Sequence, residues 1–248
     1  EVRNVIEVSP EDCEKVRKVF EGFPDSFQYK SLAEPDNESY LDDIQVDPDN
    51  WMTKEEKQMF LDLCTAYTDI ITPRPGRYNN YSGHVDNSIN FAEKPPPNHR
   101  VYQPKYSDKM KDLLGAKMDA LEEWGVLTFP DKVGVSIEFL SPSMLVPKAE
   151  KDQFRMVSDL CGLNRFIKKP PTASPNIQEA KEALAKKRYF AHIDLSNYYY
   201  QSGMSREDIQ WLGVLHPFKG VMCYACEPQG LKGASEHAYE KLSRIFGT

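Results

Sequence analysis

The sequence predicts an α+β fold in which helices and short strands occupy separate stretches of the chain. Helix-type periodicity with capping residues marks several segments, and β-type runs are grouped at 133–158 and at 189–225. Hydrophobic residues make up 40% of the 248 positions, enough to bury a sizeable core. No run of about 18 apolar residues occurs, so no membrane span is predicted.

Residues 1–104 are predicted to form an acidic, partly helical linker. A Ser-Pro start, apolar periodicity and a glycine stop mark a first helix at 9–22. Thr53 and Glu56 form a capping box, which predicts that a second helix begins there. Residues 72–104 are rich in Pro, Asn, Gly and Tyr and are interpreted as an extended tether.

The predicted elements beyond residue 104 follow from two periodicities. Apolar residues that recur every three or four positions predict helices, whereas short β-branched and aromatic runs between turn signals predict strands. The predicted helices begin after Ser107, after the cap Asn176, and at Ala234. The predicted strands cover 133–140, 143–147, 154–158, a run ending at Asp194, 211–215 and 221–225.

Charge is distributed unevenly along the chain. The net charge is −7, but residues 1–90 carry nine Lys/Arg and 19 Asp/Glu, a net of −10, and residues 91–248 carry 22 Lys/Arg and 19 Asp/Glu, a net of +3. The acidity therefore belongs to the N-terminal part. Basic clusters at 165–169 and 186–188 can follow a phosphate backbone, although such clusters are more often solvated surface.

Five cysteines are scattered along the chain, and their odd number argues against a secreted disulfide framework. A reducing, intracellular compartment is therefore predicted. Cys223 and Cys226 have C-x-x-C spacing, but no second pair or histidine cluster follows at zinc-ligand spacing. Both are interpreted as strand residues.

Three ordered segments carry the residues suited to chemistry. The first is a strand, charged hairpin and strand over 145–159, followed by Leu-Asn at 163–164. The second places Asp194 at the end of an apolar β-type run, where a carboxylate is suited to hold a metal, and Tyr199 follows it. The third is the loop 228–235, PQGLKGAS, whose glycines let the backbone lie flat beneath a flat ligand.

In this order, the three segments resemble reverse transcriptases of the retroviral and gypsy-like LTR-retrotransposon type, from about residue 107 to the end of the chain. The resemblance implies the α+β fingers-palm portion of a right-hand polymerase. It divides the chain into a linker at 1–104, fingers at 105–175 and the first half of a palm at 176–248. The implied activity is that of an RNA-directed DNA polymerase of a retroelement polyprotein, with nucleotidyl transfer by a two-metal mechanism.

The resemblance also assigns nucleotide-binding residues. Lys148 and Arg155 would clamp the triphosphate of the incoming nucleotide, because phosphoryl transfer needs positive charge on the leaving pyrophosphate. The ring of Tyr199 would lie under the sugar and exclude a 2′-hydroxyl. Gln229 and Gly230 would lie against the nucleotide and the template. Taken alone, Lys148 and Arg155 favour the interpretation as ordinary surface cations, and Tyr199 could be a core aromatic. A generic loop before a helix explains the glycines but not the Pro-Gln-Gly order.

Asp194 takes the catalytic, metal-binding position of this family, and the backbone oxygen of Leu195 is a further implied ligand. Two Mg²⁺ ions are the implied cofactors, with Mn²⁺ as an alternative, because hard cations prefer oxygen ligands. The side chain of Leu195 is expected to point into the protein interior. Asp159 and Asn164 are expected to brace the hairpin rather than to touch substrate.

The implied partners are an RNA or DNA template with its primer, deoxynucleoside triphosphates, and the thumb and ribonuclease H regions of the polymerase. No membrane partner is expected. The implied place of action is a cytoplasmic particle or the nucleus.

The sequence departs from the family pattern in several places. Tyr198 stands where a small residue is usual and is expected to crowd the sugar pocket, and Cys161 stands where an Arg is usual. The third palm motif, Tyr-x-Asp-Asp, is not reached after the loop, so this fragment alone is expected to be inactive. The same pattern at 40–43 is interpreted as a chance match, with a permuted site as the alternative.

Two other functions stay open at this point. A domesticated or truncated remnant would bind nucleic acid or a protein without catalysis, and Tyr198 and Cys161 are its motivation. An unrelated α+β interaction domain would require all three ordered segments to be coincidences.

Overall fold

The computed structural model of this chain describes residues 44, 46–47, 49–67, 75–76, 78, 84–100, 102–148, 153–171, 177–185, 195 and 197–246. These residues belong to the compact unit Ser31–Thr248, and the other unit, Glu1–Lys30, lies outside them. The predicted helix at 9–22 and the Tyr-Leu-Asp-Asp pattern at 40–43 therefore lie outside the described residues.

The strands of the described residues form a mixed sheet and a separate hairpin. They are β1 (His99–Arg100), β2 (Leu127–Thr128), β3 (Phe139–Ser141), β4 (Ser143–Pro147), β5 (Phe154–Ser158), β6 (Gly213–His216) and β7 (Gly220–Tyr224). The sheet has the order β1-β3-β6-β7-β2, and β4 pairs with β5. The β1-β3 and β3-β6 pairs are parallel, whereas β7 is antiparallel to β6 and β2. Strands from the predicted fingers and palm ranges thus share one sheet, and the boundary between those ranges stays a prediction.

The strand predictions at 143–147 and 154–158 are confirmed. Those at 211–215 and 221–225 are confirmed with their ends shifted by one or two residues. The predicted strand at 133–140 is wrong over most of its length. The segment begins at the end of a short helix, Pro130–Val133, and strand β3 starts only at Phe139. Pro at the first helical position and Gly134 in the left-handed conformation, with φ 64°, form that turn.

The described residues form seven helices and one 3₁₀ turn. They are α1 (Lys54–Ala66), α2 (Asp108–Glu123), α3 (Pro130–Val133), α4 (Cys161–Asn164), α5 (Ile177–Ala185), α6 (Arg206–Ile209) and α7 (Ala234–Phe246), with a 3₁₀ turn at Tyr198–Gln201. The predicted capping box of α1 is confirmed: Thr53 Oγ1 accepts from the Glu56 amide at 3.2 Å, and the Glu56 carboxylate accepts from the Thr53 amide at 2.8 Å. Among these described helices, none combines the length and the apolar character needed to cross a membrane.

The stretch 84–100 is bound to the sheet, so its interpretation as a tether is wrong. Val85 is buried, and Phe91 forms a β-bridge with Ile167 and an edge-to-face contact with Trp211, 5.2 Å between ring centroids. The stretch then supplies β1, which pairs with β3. Its proline-rich, polar composition does not reveal this, because the pairing depends on an edge that distant residues create.

Helix α2 packs one apolar stripe against the sheet. Leu114, Met118 and Leu121 recur every three or four residues and are buried. Full burial of each such side chain contributes about 1.5–3 kcal/mol. These side chains join one core cluster with buried residues of the sheet strands and of the loop before α7. The hairpin and that loop are therefore both anchored in the same hydrophobic core.

Gly213, at the start of β6, allows β3 and β6 to approach closely. A Cβ there would lie 2.7 Å from the backbone oxygen of Phe139, which cannot move without disturbing β3. Gly213→Ala is therefore expected to lower the free energy of unfolding by about 2 kcal/mol in urea unfolding. Gly203→Ala is the control, because a Cβ at Gly203 meets no atom within 4 Å. Equal losses in the two variants would contradict this explanation.

Candidate nucleotide-binding site

The β4-β5 hairpin places two of the predicted cations on one face. Arg155 pairs with Val146, and the Lys148 amide donates to the Gln153 carbonyl at 2.8 Å, which extends the register by one pair. Strand side chains alternate between faces, so Lys148 and Arg155 are diagonal neighbours on the same face. The Cα atoms of such neighbours lie about 7–8 Å apart. Both are exposed, and neither has an ion-pair partner among the described residues. The hairpin therefore presents two exposed cations on one face.

The opposite face of the hairpin is anchored to the core. Leu145 and Met156, which pair with each other, pack against the core cluster. At the hairpin base, the hydroxyl of Ser158 lies 3.1 Å from that of Ser143 and 2.8 Å from that of Tyr224. This buried chain of hydroxyl groups joins the hairpin to β7 of the sheet. The outward face therefore has a fixed position relative to the sheet.

Asp159 shapes the turn that follows β5. Its carboxylate accepts a hydrogen bond from the Cys161 amide at 2.9 Å, and this bond holds the pKa of Asp159 below its usual range. Cys161, where the resemblance leads one to expect an Arg, is exposed, and its hydrogen bond with Asp159 raises the pKa of its thiol. The Asp159 side chain therefore organises the start of α4, whereas the prediction for it was that it braces the hairpin.

Asn164 braces the loop 228–235 rather than the hairpin, which corrects the prediction made for it. Its side-chain amide donates to the Gly230 carbonyl at 2.9 Å, and its side-chain oxygen accepts from the Lys232 amide at 2.9 Å. Leu231, between these two residues, is buried in the core. The Lys232 amine in turn donates to the carbonyls of Asn164 and Ile167. The loop and the end of α4 are thus joined by reciprocal hydrogen bonds.

The loop presents its predicted nucleotide-binding residues to solvent. Gln229 and Gly230 are both exposed. Gly230 has φ 92° and Gly233 has φ 105°, a backbone region that favours glycine. A Cβ at Gly230 would meet no atom within 4 Å, so the backbone there is open to a ligand. The glycines therefore serve both the turn geometry and the exposure of the backbone.

The predicted catalytic segment is described only in part. Asp194 lies outside the described residues. The side chain of Leu195 is 43% exposed, so the expectation that it points into the interior is wrong. Tyr199 lies in the 3₁₀ turn, partly buried against the core cluster. Tyr199 thus packs against the core and keeps part of its side chain accessible. Its position under a sugar stays a prediction.

Tyr198 directs its hydroxyl into the protein. That oxygen is buried, without a hydrogen-bond partner among the described residues, and burial beside Tyr78 and Glu227 raises the pKa of Tyr198. Its phenol group therefore lies in the interior, within electrostatic reach of Tyr78 and Glu227. That Tyr198 crowds a sugar pocket stays a prediction.

A buried charged cluster near the loop was not foreseen from the sequence. The carboxylate of Glu227 lies 2.6 Å from His237 Nδ1 and 3.8 Å from Lys241 Nζ. Lys241 also donates to the hydroxyl of Ser202. The available signal was the spacing of His237 and Lys241, four residues apart on α7, together with the acidic residue that directly precedes the loop.

The two cysteines with C-x-x-C spacing are buried, and their thiols donate to the backbone carbonyls of Thr128 and Gly125. Cys223 lies in β7, and Cys226 forms an isolated β-bridge with Gly203. Burial raises the pKa of Cys223 to about 12, so its thiol is protonated at neutral pH. Within the described ranges, no group of three or more His, Cys, Asp or Glu is arranged to hold a metal ion.

Comparisons with known proteins place this fold among retroviral reverse transcriptases. No protein-family model and no curated protein matches the sequence. The prototype foamy virus protease-reverse transcriptase matches the structure with a TM-score of 0.61 at 20% identity, over 79% of this chain and 25% of the viral chain.

Two structures of the foamy viral protease-reverse transcriptase with nucleic acid also match. The RNA/DNA hybrid complex has a TM-score of 0.57 at 18% identity, over 79% of this chain and 25% of the other. The dsDNA complex has a TM-score of 0.55 at 20% identity, over 79% of this chain and 37% of the other. This chain therefore has a retroviral reverse-transcriptase-like fold, and it spans about a quarter of the length of the foamy virus protein.

Proposed function

We propose that this chain supplies the nucleotide- and template-binding surface of a retroelement RNA-directed DNA polymerase. The observation that carries the proposal is the pair of hydrogen bonds by which Asn164 holds Gly230 and Lys232. Through them an exposed, glycine-containing loop is fixed to the segment that directly follows the hairpin. The outer face of that hairpin carries Lys148 and Arg155 without described ion-pair partners. The likeness in fold to the foamy virus protein supports the same function.

Each group has a chemical part in the proposed reaction. Lys148 and Arg155 bind the triphosphate, where a cation stabilises the charge that develops on the leaving pyrophosphate. Gln229 and the open backbone at Gly230 lie against the nucleotide and the template. Tyr199 lies under the sugar and selects a deoxynucleotide by leaving no room for a 2′-hydroxyl.

Magnesium belongs to the same proposal but depends on Asp194, which lies outside the described residues. The described side chains do not by themselves supply a metal site. We therefore propose Asp194 and the backbone oxygen of Leu195 as ligands of Mg²⁺, or of Mn²⁺, from the sequence pattern alone. When bound, two such ions would stabilise the attacking and leaving oxygens of nucleotidyl transfer.

The proposed partners are a template of RNA or DNA with its primer, deoxynucleoside triphosphates and the remaining regions of a polymerase. The foamy viral protein forms complexes with an RNA/DNA hybrid and with dsDNA, which supports this class of partner. Exposed cations at Arg165, Lys168 and Lys169 follow α4 and suit a phosphate backbone. The proposed place of action is a cytoplasmic particle or the nucleus.

Salt-dependent binding to a primer–template tests the nucleic-acid part of the proposal. The dissociation constant from fluorescence anisotropy is expected to rise steeply with salt, because bound cations release counterions from the phosphates. Lys168→Ala is expected to reduce the slope of log Kd against log salt by about 1. Lys117→Ala, at an exposed position of α2, is the control and is expected to leave the slope unchanged. Absent or salt-independent binding by the wild type would refute this part.

Binding without nucleotide incorporation would identify the second candidate function. That candidate is a domesticated or truncated remnant that holds nucleic acid without catalysis. The residue that motivates it is Cys161, which stands where the family's Arg would offer a phosphate-binding fork. Primer extension by the polypeptide that contains these residues separates the two functions.

A further inference from the structure

A charged cluster is buried directly beneath the loop 228–235. Glu227, Lys241 and Ser202 are exposed by 1%, 3% and 6%. His237 Nδ1 lies 2.6 Å from one oxygen of the Glu227 carboxylate, and Lys241 Nζ lies 3.8 Å from the other. Lys241 also donates to the Ser202 hydroxyl and lies over the Tyr78 ring, 5.8 Å from its centroid. One carboxylate therefore has a cation or a hydrogen-bond donor at each oxygen.

The cluster joins three segments of the proposed nucleotide site. Glu227 directly precedes Pro228 and the exposed residues Gln229 and Gly230. Its backbone amide donates to the carbonyl of Ser202 at 2.7 Å, at the end of the 3₁₀ turn that carries Tyr199. Its carboxylate reaches two residues of α7, the helix that follows the loop. Movement of this carboxylate would displace the start of the loop relative to the 3₁₀ turn and to α7.

Stability alone does not account for this arrangement. Buried ion pairs are often no more stabilising than apolar residues of the same volume, because both charges lose their hydration. Burial lowers the pKa of Lys241, and the Glu227 carboxylate opposes that shift. The charged form of Lys241 therefore carries a desolvation cost that an apolar side chain would avoid. The directional contacts of the carboxylate are what an apolar replacement would lack.

We propose that Glu227 is a positioning residue that holds Gln229 and Gly230 in place relative to Tyr199 and α7. The inference rests on the proposed function, because its effect is read at the nucleotide. Glu227 itself touches neither nucleotide nor template. It acts through the backbone of the loop that begins at the next residue.

A set of three variants separates positioning from stability. Glu227→Met leaves the Lys241 charge buried without its carboxylate, so the midpoint of thermal unfolding is expected to fall by about 10 °C. Lys241→Met removes that charge and leaves the contact between Glu227 and His237. The double variant, Glu227→Met with Lys241→Met, removes both charges and is expected to unfold within about 3 °C of the wild type.

The three variants are expected to rank differently in nucleotide affinity than in thermal stability. The measurement is the Kd of the complementary deoxynucleoside triphosphate in a complex with a chain-terminated primer–template, which needs no catalysis. Glu227→Met and the double variant are expected to weaken this affinity about tenfold or more, because the loop is displaced. Lys241→Met is expected to stay within about twofold, as is Glu240→Gln, the control at an exposed carboxylate of the same helix. Recovery of nucleotide affinity together with stability in the double variant would overturn the proposal.

Amide hydrogen exchange keeps the inference testable if the proposed function fails. A wild-type protein that binds no complementary nucleotide on a primer–template would refute the proposed function. The amides of residues 229–232 would still report loop position, and they are expected to exchange about tenfold faster in Glu227→Met and in the double variant than in Lys241→Met. Equal exchange in all three variants and the wild type would overturn the positioning role.

Discussion

Asp194→Asn is expected to reduce nucleotide incorporation on the order of a thousandfold in the polypeptide that contains this chain. Asparagine keeps the shape of the side chain but removes the charge that a divalent cation requires. The measurement is single-nucleotide primer extension under saturating primer–template and nucleotide. Primer–template affinity is expected to change by less than about threefold, because that binding depends on phosphate contacts elsewhere.

The matched control for this change is Asp112→Asn, which neutralises an exposed carboxylate on α2. It is expected to leave both incorporation and binding unchanged. Full activity in Asp194→Asn would remove the metal-binding role assigned to this residue. Loss of activity together with loss of primer–template binding would indicate a folding defect instead.

Asn164→Ala is expected to have the second-largest effect, on nucleotide binding and on stability together. It removes both side-chain hydrogen bonds that hold Gly230 and Lys232, at about 1 kcal/mol each, so the free energy of unfolding is expected to fall by about 2 kcal/mol. A loop displaced by a fraction of an ångström is expected to weaken nucleotide affinity about tenfold to a hundredfold. The measurements are urea unfolding and the nucleotide Kd on a primer–template.

Asn87→Ala is the matched control for the Asn164 variant. The amide of Asn87 donates to the Gly203 carbonyl at 3.0 Å, so this change also removes a side-chain brace of the backbone. Its loss of stability is expected to be about 1 kcal/mol, with nucleotide affinity unchanged. An Asn164→Ala protein that binds nucleotide like the wild type would show that the hydrogen bonds of Asn164 to the loop do not contribute to nucleotide binding.

Local sequence signals predicted the elements whose information lies within a few residues. The hairpin strands at 143–147 and 154–158 and the helix at 234–246 follow from alternation, turn residues and apolar periodicity. The exposed cations of the hairpin follow from the same register. The capping box at Thr53 is likewise a contact between residues three positions apart.

Contacts between distant residues escaped prediction for a physical reason. The partners of Asn164 lie 66 and 68 residues away, so no local pattern distinguishes a brace of the loop from a brace of the hairpin. The same holds for β1, whose pairing with β3 depends on an edge formed elsewhere in the chain. Leu195 is exposed although it is apolar, because apolar character alone does not determine burial.

The buried Glu227 was missed because composition argues against it. Glutamate is rarely fully buried unless it is paired, and its partners His237 and Lys241 would ordinarily be assigned to a solvated helix face. Only the packing of α7 beneath the loop brings the three together. The burial of charged residues next to the loop 228–235 is therefore better judged from structure than from hydropathy.

Templated nucleotide incorporation is the most direct test of the proposal that this chain forms part of an RNA-directed DNA polymerase. The polypeptide that contains these residues is given a DNA primer on an RNA template with one deoxynucleoside triphosphate and Mg²⁺. The complementary nucleotide is expected to be added, and a mismatched nucleotide or the matching ribonucleotide is expected to be added far more slowly. Incorporation that ignores the template, or its absence from a polypeptide that binds the primer–template and the complementary nucleotide, would contradict the assignment as a polymerase.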